Sequence, residues 1–356
     1  MDILSVVRLA AEKGASDLHL VAFSPPVLRI KGALQPLTDM QPLTPDDIND
    51  AFKQIASDEE RAHFERCAEL DFGYTIPDIG RIRCNVAKQR GTISLVIRLL
   101  PLVIPTLDEL GLPKVCKELV LKPRGLVVVS GPTGSGKSTT LTAMINYLNS
   151  VENRRVVTVE DPIEYIYSND KCTITQRELG SDTLSFAEAL KHVLRQDPDV
   201  ILVGEMRDVD TAAAVLTMAE TGHLVLTTGH APSAPQTVER IIDLFPPYER
   251  PTVQSRLASL LVGILCQALI PKADGSGRIA AVEVMMASPA VRNTIREGKI
   301  YQLPNAMLTQ ARLGMVLLDN ALVNLYRKRV ISRESMLAFC NDQDEVMKLM
   351  GTIEQS

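Results

Sequence analysis

The chain has 356 residues and a formal net charge of −5, with 46% apolar and 23% charged residues. This length exceeds the roughly 250–300 residues at which a single hydrophobic core stops growing, so it predicts two domains, and the composition argues against extended disorder. The acidic balance and the lack of a dense Lys/Arg run disfavour a nucleic-acid-binding protein, because such proteins usually carry a basic excess or stripe.

The cysteines and the apolar stretches exclude further classes. None of the six cysteines forms a Cys-x-x-Cys pair, so a zinc ribbon and a thioredoxin-like dithiol are disfavoured, and scattered thiols fit a reducing cytoplasm. The first residues lack the basic and apolar regions of a secretory signal. The longest uncharged apolar stretch, 257–270, is shorter than the ~18 residues of a membrane helix. We therefore expect a cytoplasmic protein whose contact with a membrane is peripheral.

The first hundred residues predict a small α+β domain. Apolar residues at helical spacing predict a helix over 3–13. A second helix is predicted to start at 44–47, where a capping Thr precedes a Pro and two acidic residues. Strands are predicted over 16–21, 27–30, 69–74, 80–88 and 92–99. Because strands and helices do not alternate regularly, the pattern favours an α+β domain over residues 1–100.

Prolines mark the boundary to a second domain. Pro101, Pro105 and Pro113 predict an interdomain linker over 101–113. Beyond it, short apolar runs rich in β-branched residues are separated by stretches long enough for helices; they cover 125–130, 155–160, 199–204 and 223–228. This pattern is typical of a parallel sheet buried on both faces, so we predict an α/β domain over 114–356. The apolar stretch 257–270 is interpreted as a helix, followed by a strand over 279–285 and a mostly helical tail.

A P-loop carries the clearest chemistry in the chain. The segment GPTGSGKS at 131–138 matches the P-loop pattern in full and lies between an apolar strand and a helix-like stretch. Its glycines let backbone N–H groups turn towards phosphate oxygens, and the helix N-terminus adds a positive dipole end. Lys137 is expected to contact the β- and γ-phosphates of ATP, and Ser138 to bind Mg²⁺. The predicted nucleotide-binding residues are Gly131, Pro132, Thr133, Gly134, Ser135, Gly136, Lys137, Ser138 and Thr139.

Carboxylates follow two of the predicted strands. Glu205 follows the strand 199–204, and the acidic segment 160–164, which ends in Glu164, follows the strand 155–160. Parallel strands present their carboxyl ends to the P-loop, so Glu205 is expected at Mg²⁺, directly or through water. Our preferred assignment makes Glu164 the base that orients the attacking water. The residues alone leave the reverse assignment of the two glutamates open.

Two histidines and two arginines complete the candidate catalytic set. His223 and His230 flank the last of the predicted parallel strands, where a neutral imidazole can sense a γ-phosphate or serve as a structural hydrogen-bond partner. Arg81 and Arg83 share one face of a strand in the other domain, because side chains alternate along a strand. They would act as arginine fingers across a domain or subunit interface, or form a solvated basic face.

Taken together, these motifs resemble the secretion-ATPase superfamily and, within it, the retraction ATPases of twitching motility (the PilT family). The P-loop, the acidic segment 160–164, the segment GEMRD at 204–208 and the histidines occur in the family's order. The segment AVRNTIRE at 290–297 resembles the short C-terminal motif of retraction ATPases, so Arg292 and Arg296 are expected to serve retraction rather than hydrolysis. The missing tetracysteine zinc site separates the chain from pilus-extension and type II secretion members.

The resemblance implies a homohexamer with a PAS-like N-terminal domain and a RecA-like ATPase domain. It implies a cytoplasmic motor, peripheral to the inner membrane at the pilus base, that couples ATP hydrolysis to interdomain movement and so retracts the pilus. Arg81 and Arg83 match the family's sensing arginines, and Arg98 is a weaker candidate. The implied partners are an inner-membrane platform protein and, as an open alternative, a second retraction ATPase, without nucleic acid.

Other readings of the same motifs stay open. The chain could be a pilus-extension or type II secretion-type ATPase, or a weakly active accessory subunit that scaffolds a partner ATPase. A nucleic-acid translocase is disfavoured by the acidic charge.

The sequence departs from the family pattern in two places. Gly229 and Ala231 flank His230 where the family usually has Leu and Thr, and Ala268 stands where it usually has Arg. A glycine is expected to loosen the backbone at the sensing histidine. Because neither departure touches the P-loop or the carboxylates, we expect hydrolysis to be retained and its coupling to movement to change.

Overall fold

The computed structural model describes residues 1–30, 32–77, 79–100 and 103–351 and divides the chain into two units. The first comprises Met1–Val103 with the segment Pro162–Ile166, and the second comprises Ile104–Asp161 with Tyr167–Ser356. Pro101 and Leu102 of the predicted linker, and residues 352–356 of the predicted helical tail, lie outside the described residues.

The first unit is an antiparallel sheet with helices on one face. Its elements are α1 (Ile3–Glu12), β1 (Asp17–Val21), β2 (Val27–Ile30), β3 (Ala33–Pro36), α2 (Pro45–Ile55), α3 (Asp58–Cys67), β4 (Glu69–Ile76), β5 (Gly80–Gln89) and β6 (Thr92–Leu99). The strand order is β3-β2-β1-β6-β5-β4, and each neighbouring pair is antiparallel. The alternation of β5 buries Ile82, Cys84 and Val86 against the helices, as the period of a half-buried strand requires.

Two elements of the first unit were not predicted. Strand β3 has all four residues exposed, so it carries no alternation of apolar and polar residues. Helix α3 buries only Phe64 among its ten residues, so it has no apolar stripe. Its remaining sequence signal is a capping box at its N-terminus. The Ser57 N–H donates to the Glu60 carboxylate, and the Glu60 N–H donates to the Ser57 hydroxyl.

The second unit is a largely parallel sheet between two layers of helices. Its elements up to the last sheet strand are α4 (Val115–Val120), β7 (Gly125–Ser130), α5 (Lys137–Val151), β8 (Arg155–Glu160), β9 (Thr173–Glu178), α6 (Phe186–Val193), β10 (Val200–Val203), α7 (Val209–Glu220), β11 (Leu224–Thr228), α8 (Ala234–Asp243), α9 (Arg250–Leu260), β12 (Leu261–Pro271) and β13 (Arg278–Met286). The strand order is β13-β12-β7-β11-β10-β8-β9, and only β13 pairs antiparallel within this sheet.

The core of this unit lies on both faces of the sheet. In β7, Leu126 and Val128 pack into one apolar cluster with α6 to α9, whereas Val127 and Val129 pack into another with α4 and α5. All six residues of β7 are buried, as expected of a central strand of a parallel sheet. The prediction of a doubly covered parallel sheet is therefore confirmed.

The apolar stretch at 257–270 is the main correction to the predicted elements. The sequence predicts one helix here, but α9 ends at Leu260 and β12 follows directly as a strand beside β7. A short apolar run is compatible with a buried strand and with a buried helix, so its period could not distinguish them.

The chain after β13 is helical, as predicted. It forms α10 (Pro289–Arg296), α11 (Leu303–Thr309), α12 (Leu318–Arg327), α13 (Arg333–Phe339) and α14 (Gln343–Gly351). In the part of the chain that the structure describes, no helix has both the length and the apolar character needed to cross a membrane.

Candidate functional site

The P-loop leaves the centre of the sheet and enters helix α5. It joins β7 to α5, and its glycines adopt left-handed backbone angles, with φ of 138° at Gly131, 78° at Gly134 and 88° at Gly136. Residues with a side chain rarely adopt these angles, so the glycine spacing follows from the shape of the loop. Helix α5 has no side-chain cap at its N-terminus, which leaves backbone N–H groups to bind an anion.

Lys137 places its charge inside this loop. Its Nζ donates hydrogen bonds to the carbonyl oxygens of Gly131, at 2.8 Å, and Pro132, at 3.1 Å. The side chain is buried, whereas Ser138 and Thr139 in the first turn of α5 are half-buried. A buried ammonium beside helical N–H groups makes the loop a site for polyanions such as phosphates.

Glu205 lies at the same edge of the sheet as the P-loop. The parallel strands β7, β11 and β10 are direct neighbours, so the residues that follow their carboxyl ends share one edge. The Glu205 carboxylate lies 2.5 Å from Arg207 Nε and 3.4 Å from His230 Nε2, and its side chain is only 11% exposed. Arg207 was not selected from the sequence, although it stands in the GEMRD segment two residues after Glu205.

The segment around His230 is hydrogen-bonded to both neighbouring strands. The Gly229 N–H donates to the Val129 carbonyl oxygen at 2.9 Å, and the Ser130 hydroxyl donates to the Ala231 carbonyl oxygen at 2.7 Å. The Thr228 hydroxyl donates to the Gly204 carbonyl oxygen, next to Glu205. These bonds connect the histidine, the P-loop strand and the acidic strand into one network.

Gly229 packs closely against the end of β7, and the expectation that it loosens the backbone stays a prediction. A Cβ added to Gly229 would lie 2.9 Å from Ser130 Oγ and 3.3 Å from Ser130 Cβ. Its φ is outside the left-handed region, so the limited space, and not the backbone angle, favours glycine at this position. The departure at this position therefore accompanies a tight contact between the histidine segment and the end of β7.

His223 and His230, which flank β11 in sequence, lie at opposite ends of that strand. His223 precedes β11, and its Nδ1 lies 3.0 Å from Thr221 Oγ1 and 3.1 Å from the Met218 carbonyl oxygen. It therefore lies at the amino end of β11, whereas His230 follows the carboxyl end. The five residues of the strand between them span about 16 Å. Within the second unit, His230 shares the edge with the P-loop and His223 does not.

The acidic segment divides between the two units. Glu160 is buried at the end of β8, and its Oε1 accepts hydrogen bonds from Thr158 Oγ1 at 2.7 Å and Gln176 Nε2 at 3.2 Å. Glu164 is half-buried in the segment Pro162–Ile166, which belongs to the first unit. Its role as the base therefore stays a prediction.

The candidate arginines also belong to the first unit. Arg81 and Arg83 lie on the face of β5 opposite its buried residues, as the alternation predicts. The Arg81 guanidinium lies over Gly73 and its Nη1 donates to Thr75 Oγ1 at 3.4 Å, whereas Arg83 Nε is 3.9 Å from an Asp71 carboxylate oxygen.

Arg98, the weaker arginine candidate, forms an ion pair within the first unit. Its Nε donates to Asp17 Oδ1 at 2.9 Å. Burial alone would raise the pKa of Asp17, but the hydrogen bonds from Arg98 and Ser16 outweigh it and hold that pKa below its usual range. The structure thus gives Arg98 a stabilising role at the β1–β6 pair.

A cavity of about 220 Å³ opens beside the P-loop and was not predicted from the sequence. Gly136, Thr139 and Thr140 form its side next to the loop. The other lining residues come from distant parts of the second unit: Glu109, Leu110, Gly111, Leu112, Gln267, Leu269, Lys272, Arg278, Ile279 and Ala280. The apolar residues among them can pack against a flat ring, and the charged ones can contact polar groups at its edge.

The C-terminal motif at 290–297 forms helix α10 and the residue that follows it. Val291 and Ile295 are buried, whereas Arg296 is exposed. Arg292 turns inward, and its guanidinium donates to the carbonyl oxygens of Ala258, Ser259 and Ala287 at 2.6–2.9 Å. Arg292 therefore caps the C-terminus of α9, and the expected role of Arg292 and Arg296 in retraction stays a prediction.

Comparison with known proteins identifies the family. Residues 80–336 match the model of the type II/IV secretion system protein family, which is more than half of the chain. The chain belongs to this family. It is 45% identical over 335 residues to the type IV pilus retraction ATPase PilT of Pseudomonas aeruginosa, covering 94% of this chain and 97% of that protein. It is also 40% identical over 346 residues to the type IV pilus ATPase PilU of the same organism, covering 97% and 90%.

A solved structure agrees with the sequence relationships. The crystal structure of the pilus retraction motor PilT with bound ADP superimposes on this chain with a TM-score of 0.92 and 41% identity, covering 98% of this chain and 99% of that one. The predicted fold class and the predicted membership of the retraction ATPases are confirmed. The chain is accordingly an ATPase of the type II/IV secretion family.

Proposed function

We propose that this chain is the ATP-hydrolysing motor subunit that powers retraction of a type IV pilus. The observation that carries the proposal is the meeting of the P-loop, Glu205 and His230 at one edge of the sheet. The chain matches 97% of the length of a retraction ATPase of Pseudomonas aeruginosa at 45% identity.

The P-loop would bind the phosphates of ATP. Backbone N–H groups of the loop and Lys137 would contact the phosphate oxygens, with Thr139 beside them. The Ser138 hydroxyl and the Glu205 carboxylate, directly or through water, offer the hard oxygen ligands that Mg²⁺ prefers, so these residues fit the ion. When bound, Mg²⁺ would neutralise charge on the β- and γ-phosphates.

The cavity beside the loop would hold the base of the nucleotide. It borders Thr139 and Thr140, the first turn of the helix whose N-terminus would bind the phosphates. Its side chains Leu110, Leu269 and Ile279 suit the faces of a purine ring.

The remaining candidates would act on the reacting phosphate. Glu164 would orient the attacking water, and Arg81 and Arg83, supplied by the N-terminal unit of a neighbouring subunit, would neutralise charge in the transition state. His230 would respond to hydrolysis through Glu205, which it contacts at 3.4 Å. The network at Gly229 and Ser130 would carry that response to the P-loop strand.

The motor would work as a homohexamer at the cytoplasmic side of the pilus base. Its partners would be an inner-membrane platform protein and a second retraction ATPase. The names of its relatives, which are pilus ATPases, support this placement.

ATP hydrolysis tests the proposal directly. Lys137→Ala removes the charge that would contact the phosphates, so we expect the Mg²⁺-dependent hydrolysis rate of the purified protein to fall roughly a hundredfold. Glu205→Gln should lower it similarly, and Lys328→Ala, at an exposed lysine, should leave it unchanged. Equal rates for Lys137→Ala and the wild type would refute the role of the loop. Absence of hydrolysis in the wild type itself would favour the accessory scaffold instead.

A further inference from the structure

Gln267 lies directly beside the P-loop although it is 130 residues away in sequence. Strand β12 runs parallel to β7, with Cys266 opposite Ser130, so Gln267 is the next residue along and flanks the start of the loop. Its side chain is only 3% exposed. A buried amide at this position needs polar partners, and it finds them in the loop.

The Gln267 amide bridges the loop and helix α5. Its Nε2 donates to the Ser135 carbonyl oxygen at 2.6 Å, and its Oε1 accepts from the Thr140 hydroxyl at 2.9 Å. A carbonyl can only accept a hydrogen bond, so the NH₂ group must face Ser135, and the Thr140 hydroxyl fills the other end. Both partners of the amide are buried residues.

Two loop glycines pack closely against Gln267. A Cβ on Gly131 would lie 2.3 Å from the Gln267 carbonyl oxygen, which is backbone and cannot move aside. A Cβ on Gly136 would lie 3.2 Å from Gln267 Nε2. Close packing against β12 therefore adds to the backbone angles in favouring glycine at these two positions.

The bond to Ser135 fixes the direction of a peptide unit. Because a trans peptide is planar, its C=O and N–H point in opposite directions. Holding the Ser135 carbonyl towards Gln267 therefore turns the Gly136 N–H away from Gln267, to the opposite side of the loop. Gly136 is the residue that would otherwise allow this peptide to rotate, since glycine restricts its backbone least.

We propose that Gln267 is a positioning residue of the nucleotide site: it holds the Ser135–Gly136 peptide so that the Gly136 N–H faces a bound phosphate. This inference rests on the proposed function, because it requires that the loop binds a nucleotide. Gln267 acts through the loop backbone. Because Gln267 and Thr140 also line the cavity proposed for the base, the loss of affinity predicted below must also appear for Mg²⁺-pyrophosphate, which has no base.

Binding of Mg²⁺-ADP to the purified full-length protein tests this role without hydrolysis. Gln267→Leu keeps the approximate volume and removes both hydrogen bonds, so we expect the ADP dissociation constant, measured by calorimetry, to rise about tenfold. The thermal midpoint without nucleotide should change little, and amide hydrogen exchange of residues 131–140 should become faster. Gln302→Leu, at an exposed glutamine, is the matched control and should bind ADP as the wild type does.

Variants of Thr140 provide an independent arm if Gln267→Leu does not fold. Thr140→Val removes only the hydroxyl that orients the amide, so ADP binding should weaken about threefold. Thr140→Ser restores the hydroxyl and should restore the affinity.

Wild-type affinity in Gln267→Leu and in Thr140→Val would overturn the inference while leaving the proposed function intact. A loss of affinity that only parallels a loss of thermal stability would also overturn it, since that is the behaviour of a structural residue. Failure of the wild type to bind ADP would overturn the inference together with the proposed function.

Discussion

At the residue scale, Ser130 and Gly229 explain how the histidine segment is held against the P-loop strand. The Ser130 hydroxyl donates to the Ala231 carbonyl oxygen, and Gly229 leaves just enough space for that hydroxyl. Position 229 differs from the usual family residue, and in this chain its backbone lies against Ser130. A side chain at position 229 would therefore have to displace the Ser130 hydroxyl.

Gly229→Ala tests this contact. The added Cβ would lie 2.9 Å from Ser130 Oγ, so the hydroxyl must rotate away and lose its bond to Ala231. We expect the free energy of unfolding to fall by about 1–2 kcal/mol, measured by urea denaturation. Gly351→Ala is the control, because a Cβ there would meet no atom within 4 Å. Equal effects of the two substitutions would show that the contact is unimportant.

At the element scale, the residues of helix α10 have different structural roles although they belong to one sequence motif. The apolar Val291 and Ile295 anchor the helix in the core, Arg292 caps α9, and Arg296 remains exposed. A cation at a helix C-terminus interacts favourably with the last carbonyl groups and with the helix dipole.

Substituting the two arginines separately distinguishes these roles. Arg292→Ala leaves the carbonyl oxygens of Ala258 and Ser259 without their cap, so the free energy of unfolding should fall by about 2 kcal/mol. Arg296→Ala removes the same charge from an exposed site and should change stability by less than about 0.5 kcal/mol. Thermal denaturation of the two variants checks this, and an equal loss of stability would contradict the assignment.

Glu283 joins three elements of the second unit. From β13, its carboxylate accepts hydrogen bonds from the Ala234 N–H at 2.6 Å and the Leu318 N–H at 3.1 Å, at the N-termini of α8 and α12. Burial raises the pKa of this carboxyl above its usual range, the two backbone bonds oppose that shift, and nearby Asp319 adds to it.

The raised pKa of Glu283 predicts a pH dependence of stability. Between the unfolded pKa, near 4.5, and the higher folded pKa, the folded chain binds more protons than the unfolded one. The stability contributed by Glu283 therefore falls as the pH rises through this window. Glu283→Gln has no carboxyl group to titrate at this position. The unfolding free energy of the wild type minus that of Glu283→Gln should therefore decrease from pH 4.5 to 7. If the unfolding free energy of the wild type minus that of the variant stays constant or increases with pH, the assignment is contradicted.

At the scale of the whole molecule, the sequence predicts what is encoded locally. The P-loop, the buried strands, Glu160 and Glu205 lie within short segments, so their place at one edge follows from the parallel order of the strands. Strand β12 was misread as a helix because an apolar run between a helix and a turn has no distinctive period.

Contacts between distant segments were beyond prediction from the sequence. The bond from Gln267 to Ser135 joins β12 to the P-loop, and the bonds of Glu283 join β13 to α8 and α12. These contacts depend on strand order, which a single sequence does not reveal. His223 and His230, in contrast, are close in sequence but separated in space: they are seven residues apart and lie at opposite ends of β11.

The central claim is that this chain's nucleotide cycle drives pilus retraction. Its most direct test is fluorescence microscopy of labelled pili in a strain that lacks the gene and is complemented with the wild type or with Lys137→Ala. Because Lys137 occupies the P-loop, we predict that the wild type restores shortening of extended pili and that Lys137→Ala leaves them extended. Normal retraction in cells that carry only Lys137→Ala would contradict the account.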